Sequence, residues 1–82
     1  MKKNKINILV LGADGFIGSN LIKSLQKENK YKIVAFDLFK NGTSKNIHTF
    51  DESLIMFQGN FLNKEDIKNA LHGIDYIFHF VS

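Results

Sequence analysis

Apolar positions along the chain switch regularly between two spacings. The run Lys5-Ile6-Asn7-Ile8-Leu9-Val10-Leu11 is short, mostly apolar and rich in β-branched residues, and it ends at Gly12. It predicts a strand buried on both faces. Phe16, Ile17, Leu21, Ile22 and Leu25 then recur at helical spacing, predicting an amphipathic helix with those residues inward that runs out in the polar stretch Gln26 to Lys30. Lys32 to Asp37 reads as a second strand ending in an acid, and Leu38 to Asp51, polar around Asn41-Gly42-Thr43-Ser44, as a loop with a short helix. Leu54 to Gly59 is a third strand. Asn63 to Leu71 predicts a short helix with Asn63 as N-cap and Asp66 at the capping-box position. Ile67, Ala70 and Leu71 form its inner face, and Gly73 follows as the C′ residue. Ile74 to Val81 supplies a fourth apolar run. Strands alternating with helices predict right-handed crossovers and a parallel sheet. The pattern reaches Ser82 at a strand tip that should feed another helix.

Composition narrows the class. At 82 residues the chain allows one small domain, and 44% hydrophobic content makes it a core-former rather than a disordered tail. No apolar run approaches the roughly 18 residues that span a bilayer. The basic start Met1-Lys2-Lys3-Asn4-Lys5 precedes an apolar stretch too short for a signal-peptide core, so a cytoplasmic protein is expected. Cysteine is absent, which excludes disulfides and thiolate metal sites. Charge is unevenly spread: residues 1–45 carry nine Lys against three acids, whereas residues 46–82 carry two Lys against five acids. Every base is Lys, so bidentate recognition of phosphate or guanine by Arg is lacking, and the Lys residues punctuate solvated surfaces. Neither a nucleic-acid nor a membrane partner is expected.

Gly12-Ala13-Asp14-Gly15-Phe16-Ile17-Gly18 spaces three glycines by three and three, between a strand and a helix. Gly12 permits the tight turn, Gly15 lets backbone amides approach a pyrophosphate, and Gly18 lets the helix pack against the strand. The helix N-terminus offers free N–H groups near Phe16 and Ile17 to phosphate. Asp37 stands 19 residues after Gly18, at a strand end, where an acid binds a ribose diol. A carboxylate there repels a 2′-phosphate, which favours NAD over NADP; Lys40, three residues on, is the one nearby opposing charge.

Leu11-Gly12-Ala13-Asp14-Gly15-Phe16-Ile17-Gly18-Ser19-Asn20-Leu21 resembles the signature of extended short-chain dehydrogenases/reductases, the NAD-dependent epimerase/dehydratase family. Three later segments agree. Asp37 to Asn46 is similar to that family's ribose-binding acid and following loop. Gly59-Asn60-Phe61-Leu62 resembles its Gly-Asp-hydrophobic motif, whose acid contacts adenine, with Asn60 in place of the acid. Asp75 to Ser82, including Phe80, resembles the segment whose backbone flanks the nicotinamide, with Val81-Ser82 in place of Ala-Ala as in nucleotide-sugar 4-epimerases.

The resemblance implies an α/β, partial Rossmann (doubly wound) fold with strand order 3-2-1-4, ending after the fourth strand. It implies NAD as cofactor, held by Gly12, Gly15, Phe16, Ile17, Gly18, Asp37, Asn60, Phe61 and Phe80. It also implies a parent enzyme that oxidises a sugar hydroxyl of a nucleotide-sugar and later returns the hydride. The family's catalytic Tyr-x-x-x-Lys is missing from these residues: Tyr31 is followed four on by Ala35, and Tyr76 by Phe80. The chain is thus expected to be the N-terminal cofactor part of such an enzyme and not catalytic alone; the alternative is a stand-alone NAD-binding or regulatory module, or a truncated relic.

Other groupings carry less. His48, His72 and His79 lack metal-ligand spacing, and His79 is expected to pack or hydrogen-bond at a strand end. Ser82 follows no nucleophile elbow. Glu65-Asp66 answers a helix dipole, Asp14 supports its own turn, and Phe36, Phe57, Phe78 and Phe80 are core residues. A fourth strand left with Ile77, Phe78 and Phe80 at an open edge, on a chain whose core barely offsets an ordering cost of about 1.5 kcal/mol per residue, predicts self-association or marginal stability.

Overall fold

The computed structural model describes residues 5–81. Met1–Asn4, whose basic run entered the targeting argument, and Ser82 lie outside the described residues. Four strands and two helices follow one another as β1 (Ile6–Leu11), α1 (Phe16–Gln26), β2 (Tyr31–Asp37), β3 (Leu54–Gln58), α2 (Lys64–Ala70) and β4 (Tyr76–His79), with no α-helix between β2 and β3. The 38–51 loop contains the expected short helix, a single 3₁₀ turn at Lys40–Gly42. All strand pairs are parallel and the sheet order is β3-β2-β1-β4, the predicted arrangement. Ile8 sits between Ile33 of β2 and Tyr76 of β4, so β1 is central.

The side-chain period of two explains why β1 is apolar almost throughout. Ile8 and Val10 face one layer with Ile22 of α1, while Leu9 and Leu11 face the other with Ala70 of α2. The same split divides β2 into Ile33 and Ala35 against Val34 and Phe36. Each fully buried Leu, Ile or Phe contributes about 1.5–3 kcal/mol relative to exposure, and the largest buried side chains (Phe36, Leu9, Ile22, Ile33, Val10) all lie on β1, β2 or α1. Phe36 stacks on Phe57 of β3 with ring centroids 5.3 Å apart. These strands form the rigid part from which the loops at their carboxyl ends are held.

Several expectations about individual side chains are corrected. Phe16 and Ile17 are not on the inner face of α1: they are 79% and 63% exposed. They open the helix beyond the carboxyl end of β1, where no sheet lies beneath them, and Gly18, Ser19 and Ile22 make the buried stripe instead. Leu71 caps α2 and is exposed, leaving Ala70 as the helix's buried residue. Gly73 does adopt a left-handed φ of +71°, but one residue later than the C′ position, because the helix already ends at Ala70. Phe78 and Phe80 are partly exposed rather than core residues, since β4 pairs only with β1 and neither helix covers it fully. Among the described residues, no helix is long and apolar enough to cross a membrane.

Candidate functional site

The turn from β1 into α1 is built by its glycines. Gly12 has φ of +80°, and a Cβ there would also press on the Phe80 carbonyl carbon at 3.1 Å. The Gly12 and Ala13 amides both donate to the Phe36 carbonyl, at 3.0 and 3.1 Å, which ties the turn to β2. A Cβ on Gly18 would collide with the Gly12 carbonyl oxygen, so that glycine is demanded by close packing of helix on turn. Gly15 differs. Its backbone is extended at φ −75°, and a Cβ would meet nothing nearer than the Gly12 oxygen at 3.4 Å, an ordinary contact. Neither its own conformation nor its packing calls for glycine. What the missing side chain leaves open is the space before the N-terminus of α1, where no side chain caps the helix and no acid occupies the first turn. The uncapped N–H groups and the positive end of the dipole suit an anion.

A cleft of about 470 Å³ runs across the carboxyl ends of the strands and brings together Gly12, Gly15, Asp37, Asn60, Phe61 and Phe80. The elements converge there because each crossover leaves its strand at the same sheet edge, where the strand order reverses. Phe16, Ile17 and Gly18 do not line this cleft; Phe16 and Ile17 open α1 with exposed side chains, and Gly18 is buried. Leu38 and Leu62, which the sequence reading did not single out, complete an apolar wall. The sequence marked neither beyond its being apolar: Leu38 follows the acid of β2, and Leu62 lies in the loop between β3 and α2, where it is 86% exposed. Phe61 is fixed by an edge-to-face contact with His79, centroids 4.8 Å apart, so His79 packs at its strand end as expected.

The acid at the end of β2 is held from both sides. Asp37 Oδ2 accepts the Asp14 N–H at 2.9 Å and Oδ1 accepts the Leu38 N–H at 2.7 Å. Each carboxylate oxygen keeps a further lone pair for a hydroxyl. Asn60 is more committed than its sequence role implied. Its side-chain oxygen accepts the Leu62 N–H at 2.8 Å, which leaves the NH₂ as the group able to meet a ligand edge. Its own N–H donates to Asp66 Oδ2 at 2.9 Å. Asp66 therefore serves the cleft loop and not the capping-box return: the Asn63 N–H is already taken by the Asn60 carbonyl, while Asn63 Oδ1 accepts the Asp66 N–H at 3.0 Å.

Asp14 does not brace its own turn as expected. Its carboxylate reaches the loop 30 residues away, accepting from Ser44 Oγ at 2.5 Å, the Lys45 N–H at 2.8 Å and the Asn46 N–H at 2.9 Å. Partial burial pushes its pKa up, but the hydrogen bonds from Ser44, Asn46 and Lys45 outweigh this and hold it below the ordinary aspartate value. A second cleft, also about 470 Å³, lies on the far side of Asp37, where Lys40, Thr43 and Lys45 meet Asp14 and Gly15. Among the described residues no three His, Cys, Asp or Glu side chains gather as metal ligands.

Comparison with known proteins places this geometry. The profile of the NAD dependent epimerase/dehydratase family matches residues 8–82. Over 90% of its length the chain is 36% identical to the uncharacterized UDP-glucose epimerase YtcB of Bacillus subtilis, covering 25% of that protein. Over 78% it is 34% identical to the decarboxylating sterol-4-alpha-carboxylate 3-dehydrogenase erg26 of Schizosaccharomyces pombe, covering 18%. Among solved structures, UDP-glucuronic acid 4-epimerase from Bacillus cereus in complex with NAD superposes with a TM-score of 0.79 at 32% identity, over 94% of this chain and 27% of that one. The chain thus spans a quarter or less of the length of these curated relatives. Glycine turn, strand-end acid and three-two-one-four sheet are those of a family in which this chain takes its place: it belongs to the NAD-dependent epimerase/dehydratase family.

Proposed function

We propose that this chain binds NAD and is the cofactor-holding N-terminal part of an enzyme acting on a nucleotide-sugar. The observation that carries the reading is Gly15: the fold does not need a glycine there, whereas a pyrophosphate approaching the N-terminus of α1 does. In this assignment the backbone at Gly12, Gly15, Phe16 and Ile17 receives the pyrophosphate, with Gly18 allowing the helix to stand that close. Asp37 accepts from the adenosine ribose hydroxyls. The Asn60 NH₂ meets the adenine edge and Phe61 its face, and the backbone near Phe80 borders the nicotinamide end. NAD supplies hydride acceptance and return. These residues contribute binding and orientation, and no proton-transfer pair.

A nucleotide-sugar is favoured as substrate class by the UDP-glucose epimerase similarity, which exceeds the sterol dehydrogenase similarity in both identity and coverage. NAD is favoured over NADP because Asp37 is pinned by two amides and cannot swing away from a 2′-phosphate. Lys40 and Lys45 border the neighbouring cleft as solvent-exposed, screened charges. Calorimetric titration of the protein with both dinucleotides tests this. NAD should bind more tightly than NADP, and Asp37→Ala should weaken NAD and narrow the gap; tighter NADP binding, or indifference to Asp37→Ala, contradicts the assignment.

A further inference from the structure

We infer that Asp14 is a positioning residue for the adenosine ribose: its carboxylate clamps Ser44–Asn46 onto the glycine turn, and the turn in that position presents the Asp14 N–H that orients Asp37. The inference rests on the NAD reading above. Three donors from one loop converge on a single side chain, and the Asn46 side-chain NH₂ adds a fourth bond, to the Asp14 carbonyl at 2.6 Å. Ser44 Oγ in turn accepts the Ile47 N–H at 2.9 Å, and Ile47 is buried in the core, so the clamped loop is anchored at its far end. On the other side, the Asp14 N–H reaches Asp37 Oδ2 at 2.9 Å. Loop, turn and acid are one hydrogen-bonded unit, although their residues are 23 to 32 positions apart in sequence.

The clamp also accounts for a charge that is otherwise out of place. A free carboxylate beside the helix N-terminus would compete with a pyrophosphate for the same field. Here the carboxylate oxygens are engaged by donors from the loop, so they are not free to compete for the N–H groups at the helix N-terminus. Thr43 and Lys45 become the outer wall of the space beside Asp37, so releasing the clamp removes a wall and loosens the acid together.

The test measures NAD and ADP-ribose affinity for the wild-type protein and for Asp14→Ala, Asp14→Asn, Ser44→Ala, Asp37→Ala and the Asp14→Ala/Asp37→Ala double variant, with amide hydrogen exchange on each. Asp14→Ala should weaken both ligands roughly tenfold, and Ser44→Ala by roughly threefold. Asp14→Asn, which keeps one acceptor oxygen, should recover part of the loss. The Lys45 and Asn46 amides should lose protection in Asp14→Ala. Because Asp14 acts through Asp37, the double variant should bind no more weakly than Asp37→Ala alone. A purely structural role predicts additive losses, and that result, or wild-type affinity in a folded Asp14→Ala or Ser44→Ala protein, overturns the inference while leaving NAD binding intact. If Asp14→Ala does not fold, Ser44→Ala and Asp14→Asn decide on the same criteria. A folded wild-type protein that binds neither ligand overturns the NAD reading and this inference with it.

Discussion

Gly15 and Gly18 lie three residues apart in one motif and answer to different constraints. At Gly18 a methyl group must displace the Gly12 carbonyl, so Gly18→Ala should destabilise the fold by about 1–3 kcal/mol, the range for overpacking, in denaturant titration. At Gly15 the backbone already suits alanine, and Gly15→Ala should leave the melting temperature equal or slightly higher while NAD affinity falls at least roughly tenfold. Loss of stability at Gly15, or unchanged affinity, would show that its role was misassigned. Asp14 brings a pH dependence. Its folded-state pKa lies below the ordinary value, so the ionised clamp adds stability that is present above about pH 4 and is lost as pH falls through the depressed value. Asp14→Asn should therefore lose less stability than wild type between about pH 6 and pH 3 in thermal melts; Asp51, lowered by its bonds from Ser53, adds a parallel loss that the variant retains.

At the scale of elements, the strands and the helix cap were legible because their causes are local. β1 is apolar on both faces, as a strand with helices on either side requires, and Asn63 sits where a side-chain acceptor meets the Asp66 N–H. Asn63→Ala should cost about 1 kcal/mol, read from urea midpoints at unchanged m-value. What the sequence hid depends on distance in space. Periodicity marks Phe16 and Ile17 as apolar at helical spacing but cannot say that the sheet ends before them. The partner of Asp14 lies 30 residues on, and Asp66 trades a standard capping bond for one to Asn60 because the competing amide is already used. Gly12, Gly15, Asp37, Asn60, Phe61 and Phe80 share one cleft, whereas Leu38 and Leu62 gain meaning only once the strand ends are seen side by side.

For the molecule as a whole, the described residues form a four-stranded sheet with core on both faces and with β3 and β4 at its two edges. Tyr76, Ile77 and Phe78 of β4 are all at least 37% exposed, and β4 is paired on one side only. Such an edge offers backbone groups and apolar side chains to another chain. Residues 1–82 in isolation should associate with rising concentration in sedimentation velocity, and Ile77→Lys should suppress this. A monomer that unfolds cooperatively above about 60 °C would contradict that expectation. Joined to the strand-end cleft, the same sheet has the architecture that receives a dinucleotide. The most direct measurement is a ¹H–¹⁵N map of the protein titrated with NAD. Saturable shifts are expected at the amides of Gly12, Gly15, Phe16, Ile17 and Leu38, with smaller ones at Asn60 and Phe61 and little change in the α2 amides beyond Asp66. A titration that leaves the Gly15–Ile17 amides unmoved would contradict the NAD assignment.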